Sequence, residues 1–205
     1  MELKQALQEL RKNEKRKFDQ SIDLVINLKD IDVKKDNIST IVTLPYKVRD
    51  KTVCAFLTKK SELVPTITQP DFVKYKDKKD LKRLVKEYDF FIGSAKLMPA
   101  VATTFGKILG PTGKMPSPQL GVLLQEEDVA IKQLLARIEK SVKIRVKEPS
   151  VKIPIGKESM KDEEIMANAQ AIYQSLVAAL PIKKDNVKSV IIKLTMSKPI
   201  QVEMK

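Results

Sequence analysis

Proton-transfer and metal chemistry have few residues to work with in this chain. Its 205 residues include no histidine and one cysteine, Cys54. That excludes a histidine base and any metal site built on imidazole. A single thiol excludes an internal disulfide and a multi-thiolate metal site. Cys54 lies in the apolar run Val53-Cys54-Ala55-Phe56-Leu57, where a thiol acts as a small core hydrophobe. Carboxylates cluster at Glu126-Glu127-Asp128 and Asp162-Glu163-Glu164. Each triplet precedes a helical pattern, and negative charge at a helix start suits its dipole. These residues point to no enzyme and no cofactor.

A glycine-rich stretch could cradle phosphate: Gly106 to Gly121, with Gly110-Pro111-Thr112-Gly113-Lys114-Met115 at its centre. A P-loop needs four residues between its first glycine and the Gly-Lys pair, then Ser or Thr to hold magnesium. Here the gap is six from Gly106 and two from Gly110, and Met115 replaces the hydroxyl. An NTPase is therefore excluded. The spacing predicts a proline-braced loop between two helices, with a phosphate-backbone contact through Lys107 and Lys114 as the alternative.

Cations are the remaining chemistry. Lys+Arg number 39 against 26 Asp+Glu, a formal charge of +13. A charge of that size points to a polyanion, most often nucleic acid; the alternative is a solvated lysine-rich surface. Two places concentrate it. Arg11, Lys12, Lys15, Arg16 and Lys17 follow one another before Phe18, which could offer stacking surface beside phosphate-binding cations. Lys143, Arg145 and Lys147 alternate along Val142–Lys147, so one strand face carries one sign of charge. Such a face repels itself unless an anion lies over it.

The elements that must position these groups follow from periodicity. Leu3, Leu7 and Leu10 predict a helix over 2–17. Ile22, Leu24, Ile26 and Leu28 alternate in a half-buried strand over 21–28, and Lys29–Asn37 reads as a charged turn. A second strand, 38–44, ends at Pro45. The texture then changes. Apolar runs at 53–57 and 90–92 read as strands buried on both faces. Helical patterns at 80–88, 96–109 and 129–140 alternate with them, which suggests βαβ units and a parallel sheet. From 142 the alternating texture returns, in strands at 142–147, 151–155, 189–195 and 200–203 around a helix at 162–180.

A nested arrangement follows: the middle, 48–141, is inserted into a domain made from 1–47 and 142–205. The net charges are +6 for the middle and +2 and +5 for the two ends, so charge alone does not say which domain binds. No stretch approaches the roughly 18 apolar residues of a membrane span, and the first residues are charged. A soluble, cytoplasmic protein is expected.

Four segments carry a resemblance: Lys17-Phe18-Asp19-Gln20-Ser21, the run Ile108 to Pro118, the turn Gly156-Lys157, and Lys193-Leu194-Thr195-Met196-Ser197-Lys198-Pro199. In order, and over nearly the whole chain, they are similar to the ribosomal protein L-one family, the large-subunit protein of the mobile lateral stalk. The compact length and the Phe90-Phe91-Ile92 context resemble the archaeal branch. The resemblance implies an α/β fold of two domains. A two-layer α/β domain has an antiparallel sheet formed by both chain ends, and a three-layer Rossmann-like α/β domain is inserted into it.

It further implies a ribosome-associated, cytoplasmic protein, monomeric when free. Its partners would be a junction of large-subunit rRNA, exit-site tRNA and its own mRNA, whose translation it would repress. The implied RNA-binding residues are Lys17, Phe18, Ser21, Asp23, Lys157, Thr195, Met196 and Ser197, with Lys143 and Arg145 added by the charged strand. Asp23 stands where many members have Glu, and Ser197 where Gly is common. Two other classes compete. A nucleotide-binding enzyme would need a Gly-x-Gly-x-x-Gly turn after a strand, which the chain lacks. A general RNA-binding protein without a ribosomal role would show little preference among junctions.

Overall fold

The computed structural model describes residues 1–12, 16–32, 38–75 and 77–204. In chain order come α1 (Leu3–Arg11), β1 (Ser21–Leu28), β2 (Ser39–Thr43), β3 (Val53–Phe56) and β4 (Thr66–Ile67). Then follow α2 (Lys78–Glu87), β5 (Phe90–Ser94), α3 (Met98–Thr112), β6 (Val122–Leu123) and α4 (Asp128–Lys140). The chain closes with β7 (Ser141–Arg145), β8 (Ser150–Lys157), α5 (Asp162–Ala179), β9 (Val187–Leu194) and β10 (Ile200–Val202). It divides into two compact units, 1–49 with 140–205, and 50–139.

In the first unit, four antiparallel strands run in the order β10-β9-β1-β8. The N-terminal strand thus sits between C-terminal ones, and neither chain end has a sheet without the other. Burial along β1 alternates at every residue. Ile22, Leu24, Ile26 and Leu28 join one core with Leu7 and Leu10 of α1 and Ile165, Ile172 and Leu176 of α5. Helices cover one face only, so Ser21, Asp23, Val25 and Asn27 remain half-buried on the other. Asn168 of α5 is fully buried and satisfied: its Nδ2 donates to the carbonyls of Tyr46 (3.1 Å) and Ile155 (3.0 Å), and its Oδ1 accepts from Tyr46 N–H (3.0 Å).

Two expectations change in this unit. The first helix stops at Arg11, because no apolar residue follows Leu10 before Phe18 and packing stabilises nothing further. Arg16 and Lys17 therefore lie outside it; Lys15 falls outside the described residues, as does the part of the charged turn at 33–37. Gly156-Lys157 is no turn but the end of β8. A Cβ on Gly156 would meet Ile165 Cγ1 at 2.9 Å, so the glycine lets α5 lie against the strand. Arg11 ties α1 to the start of α5, donating to Asp162 Oδ1 (2.6 Å) and to the carbonyls of Glu158 (2.9 Å) and Met160 (2.6 Å).

The second unit holds a parallel sheet ordered β4-β3-β5-β6. Every residue of β3 is buried. Cys54 and Phe56 enter a cluster with Phe72, Phe91, Phe105 and Leu109, in which Phe56 stacks on Phe91 at 5.6 Å and Phe72 meets Phe105 edge-on at 5.1 Å. Burial pushes the Cys54 thiol up to about 12, as suits a core residue.

The glycine-rich stretch is also not the loop expected from Gly106. Helix α3 continues through Gly106, Lys107, Gly110 and Pro111, and the loop begins at Gly113, whose φ of 76° makes the left-handed cap. Pro111 has no N–H to offer the last turn. The Thr112 hydroxyl compensates by donating to the Ile108 and Leu109 carbonyls, both at 3.0 Å. Lys114 Nζ donates to the carbonyls of Val85 and Tyr88, each at 2.7 Å, at the end of α2. It neutralises a helix C-terminus rather than waiting for phosphate.

Candidate nucleic-acid interface

One end of the four-stranded sheet gathers residues far apart in sequence. The antiparallel register sets Ser21 opposite Lys157 and Ile22 opposite Leu194. The segment entering β1, the end of β8 and the turn after β9 therefore meet there. Thr195 N–H donates to the Ser21 carbonyl at 3.1 Å, and its hydroxyl donates to the same oxygen at 3.3 Å. Lys17, Phe18, Lys157, Thr195 and Met196 are exposed around this point, and Ser21 and Ser197 are half-exposed.

The apolar members are the informative ones. Four of the six phenylalanines close the core of the other unit, whereas Phe18 is 53% exposed and Met196 is 64% exposed. Large apolar side chains standing in water beside cations are a binding surface in search of an apolar counterpart.

The turn has a defined shape. Ser197 N–H donates to the Leu194 carbonyl at 3.2 Å, and the Ser197 hydroxyl accepts from Leu194 N–H at 2.9 Å. The same hydroxyl lies 3.1 Å from the Lys198 carbonyl. Ser197 thus shapes the turn with its own side chain. The only described non-glycine residues at positive φ are Asp30 and Lys183, so the Cβ of Ser197 fits without strain.

Two residues that the sequence reading passed over hold the site together. Gln20 is 2% exposed, accepts from Met196 N–H at 3.2 Å and donates to Glu158 Oε2 at 3.3 Å. It joins the turn after β9 to the loop after β8. The signal was present: Gln20 has the parity of Ile22 and Leu24, so alternation places it on the core side. Asp19 accepts from Ser159 N–H (3.0 Å) and the Ser159 hydroxyl (2.9 Å), and Lys157 Nζ lies 4.0 Å away.

Asp23 sits on the helix-free face, opposite Lys193 in the register. Burial raises its carboxyl above the ordinary value, and the Lys193 charge offsets part of that. Lys143 and Arg145 are elsewhere. They lie on β7, which pairs only with β2, in register with Ile41 and Ser39. Burial, then the Arg145 charge, lowers the Lys143 ammonium. The fold does not bring this pair into the sheet-end cluster.

No group of three or more candidate metal ligands occurs among the described residues, and no described helix is long and apolar enough to cross a membrane. The arrangement offers cations, hydroxyls and apolar surface, the means to hold phosphate, sugar and base.

Comparison with known proteins agrees with the resemblance noted in the sequence. The Ribosomal protein L1p/L10e family matches residues 10–198. The large ribosomal subunit protein uL1 of Thermofilum pendens is 35% identical over 92% of this chain and 86% of its own. That of Methanococcus vannielii is 34% identical over 95% and 94%, and that of Nanoarchaeum equitans 32% over 94% and 95%.

Proposed function

The chain belongs to the Ribosomal protein L1p/L10e family, and from that premise we propose that it is a structural protein of the large ribosomal subunit that binds a stalk junction of the rRNA through the unit made from both chain ends. It is no enzyme, and its place is on the ribosome in the cytoplasm. The observation that carries the reading is the sheet end itself. Phe18 and Met196 stand exposed beside Lys17, Lys157 and the Thr195 hydroxyl.

Lys17 and Lys157 supply charge for phosphates. Ser21, Asp23 and Thr195 meet 2′-hydroxyls or base edges, and Phe18 and Met196 cover a sugar or an unstacked base. Ser197 contributes by fixing the turn. Lys143 and Arg145, on their separate sheet, add attraction without reading shape. Movement with the stalk would help exit-site tRNA leave, and binding to a like structure in its own mRNA would repress its translation. The free protein is a monomer.

The test is filter binding of a stalk-junction rRNA fragment against plain duplex RNA of equal length. A clear preference for the junction supports the reading. Equal affinity for both would make the chain a general RNA binder without a ribosomal role. A form of the chain with 50–139 replaced by a short Gly/Ser linker should keep the preference; a folded form that loses it would move recognition out of the unit built from the chain ends.

A further inference from the structure

The parallel sheet of the second unit has a crevice that the RNA reading leaves unused. The chain passes from β3 to β4 on one side, then crosses back to β5 on the other. The carboxyl ends of β3 and β5 are therefore a point where the strand order reverses. In open α/β sheets, ligands settle outside the strand ends at such a point. A cavity of about 720 Å³ lies there, within the usual range for a small-molecule site.

Its polar groups converge on one spot. Thr58 N–H (2.9 Å) and the Thr58 hydroxyl (2.5 Å) both donate to Glu126 Oε2. The Ser94 hydroxyl and Lys59 N–H bond to the same carboxylate. Ser94 is itself 1% exposed. Four donors from two strand ends thus hold one anion, and that anion is delivered by a loop 68 residues further along the chain. Lys59, Lys60 and Lys96 line the same cavity, where their charge exceeds what one carboxylate needs. Burial raises the Glu126 carboxyl, but the hydrogen bonds prevail and hold it below its ordinary value, so it is an anion at neutral pH. Beside the polar spot, Leu57, Leu124 and Ile131 supply apolar wall. Leu124 is 84% exposed, an apolar side chain at the rim with solvent over it.

We propose that this crevice binds a phosphorylated small molecule of nucleotide size, with the Glu126 carboxylate seated at the phosphate position. A ligand phosphate takes over the donors of Thr58, Lys59 and Ser94, pairs with Lys96, and displaces Glu126 toward solvent. The ligand body then lies on Leu57 and Leu124. Recognition uses amides and hydroxyls at the strand ends rather than a glycine-rich turn. It is independent of the RNA reading.

The experiment uses the ¹⁵N-labelled full chain with AMP as probe, and with adenosine and inorganic phosphate as separate arms. AMP should shift the amides of Thr58, Lys59, Ser94 and Lys96. Adenosine should leave them unmoved, and phosphate should bind more weakly than AMP. Glu126→Gln removes the competing charge and should tighten AMP binding about tenfold. Lys96→Ala should weaken it while the spectrum stays dispersed, which keeps the test valid should Glu126→Gln fail to fold. No shift at millimolar AMP in either the wild type or the folded variants would overturn the proposal. So would shifts spread over Lys17 and Lys157, adenosine binding as well as AMP, phosphate binding as well as AMP, or weaker binding to folded Glu126→Gln.

Discussion

Phe18→Ala isolates recognition from folding. Phe18 belongs to neither hydrophobic core and is 53% exposed. A phenylalanine side chain carries about 150–250 Å², so roughly 80–130 Å² remains to be covered by a partner. At about 25 cal/mol/Å² that is about 2–3 kcal/mol. Imperfect coverage and the methyl that alanine keeps bring the expected loss to about 2 kcal/mol, which matches the range of about 1–3 for one stacked base. Affinity for the junction should then fall about 30-fold. Stability should change by less than about 0.5 kcal/mol, since the side chain packs on no core. Plain-duplex affinity and the salt dependence should hold, because no charge is removed. The assay is filter binding of both RNAs, with thermal melting alongside. Unchanged junction affinity in the folded variant would refute the argument. Equal loss for junction and duplex would refute it too, because an apolar contact that reads shape cannot matter equally to a helix that lacks the shape.

Thr195→Val removes the hydroxyl but keeps the N–H bond to Ser21, so melting should hold while junction affinity falls by about 1–3 kcal/mol; parallel loss of both would make the turn merely structural. Lys17→Ala should lower the log–log salt slope of junction binding by about 1, and Arg145→Ala, on its separate sheet, should lower it less; the reverse order would move the phosphate contacts to β7. Gly156→Ala forces a Cβ to within 2.9 Å of Ile165 and should cost about 1–3 kcal/mol in denaturant unfolding, with unchanged stability counting against the close packing of α5. Cys54 titrates near 12 folded against 9.0 ordinarily. The unfolded chain loses that proton first, so its contribution is full below about pH 9 and is lost as pH rises toward 12, by up to about 1.4 kcal/mol per pH unit. Cys54→Ala should lack this alkaline component; identical pH profiles would contradict the burial argument.

Local pattern determined much of this protein. Alternation from Ser21 to Leu28 reports which side chains face the helices, because a strand turns its side chains over at every residue. The apolar run at Val53 reports a strand buried on both faces, and the absence of histidine settles what chemistry cannot occur. The same pattern could not say where the first helix stops, since cations suit a helix end as well as a loop. It also misread Gly106 to Thr112 as loop: glycine and proline are breakers by local rule, yet Thr112 compensates Pro111 and packing of Phe105 and Leu109 keeps the segment helical.

Tertiary structure alone decided which polar groups meet. Gln20 reaches Met196 across 176 positions and Glu158 across 138, and Asp19 reaches Ser159 across 140. Lys143 and Arg145 read as equals of Lys17 by charge, but sheet pairing assigns them to another surface. Lys114 reads as a phosphate ligand by its glycines, but its ammonium is spent on the end of α2. Periodicity records how each residue relates to its neighbours and to solvent. Register between distant strands is fixed only when the whole apolar face is buried together, and the meeting of β1, β8 and β9 at one sheet end is set by that register.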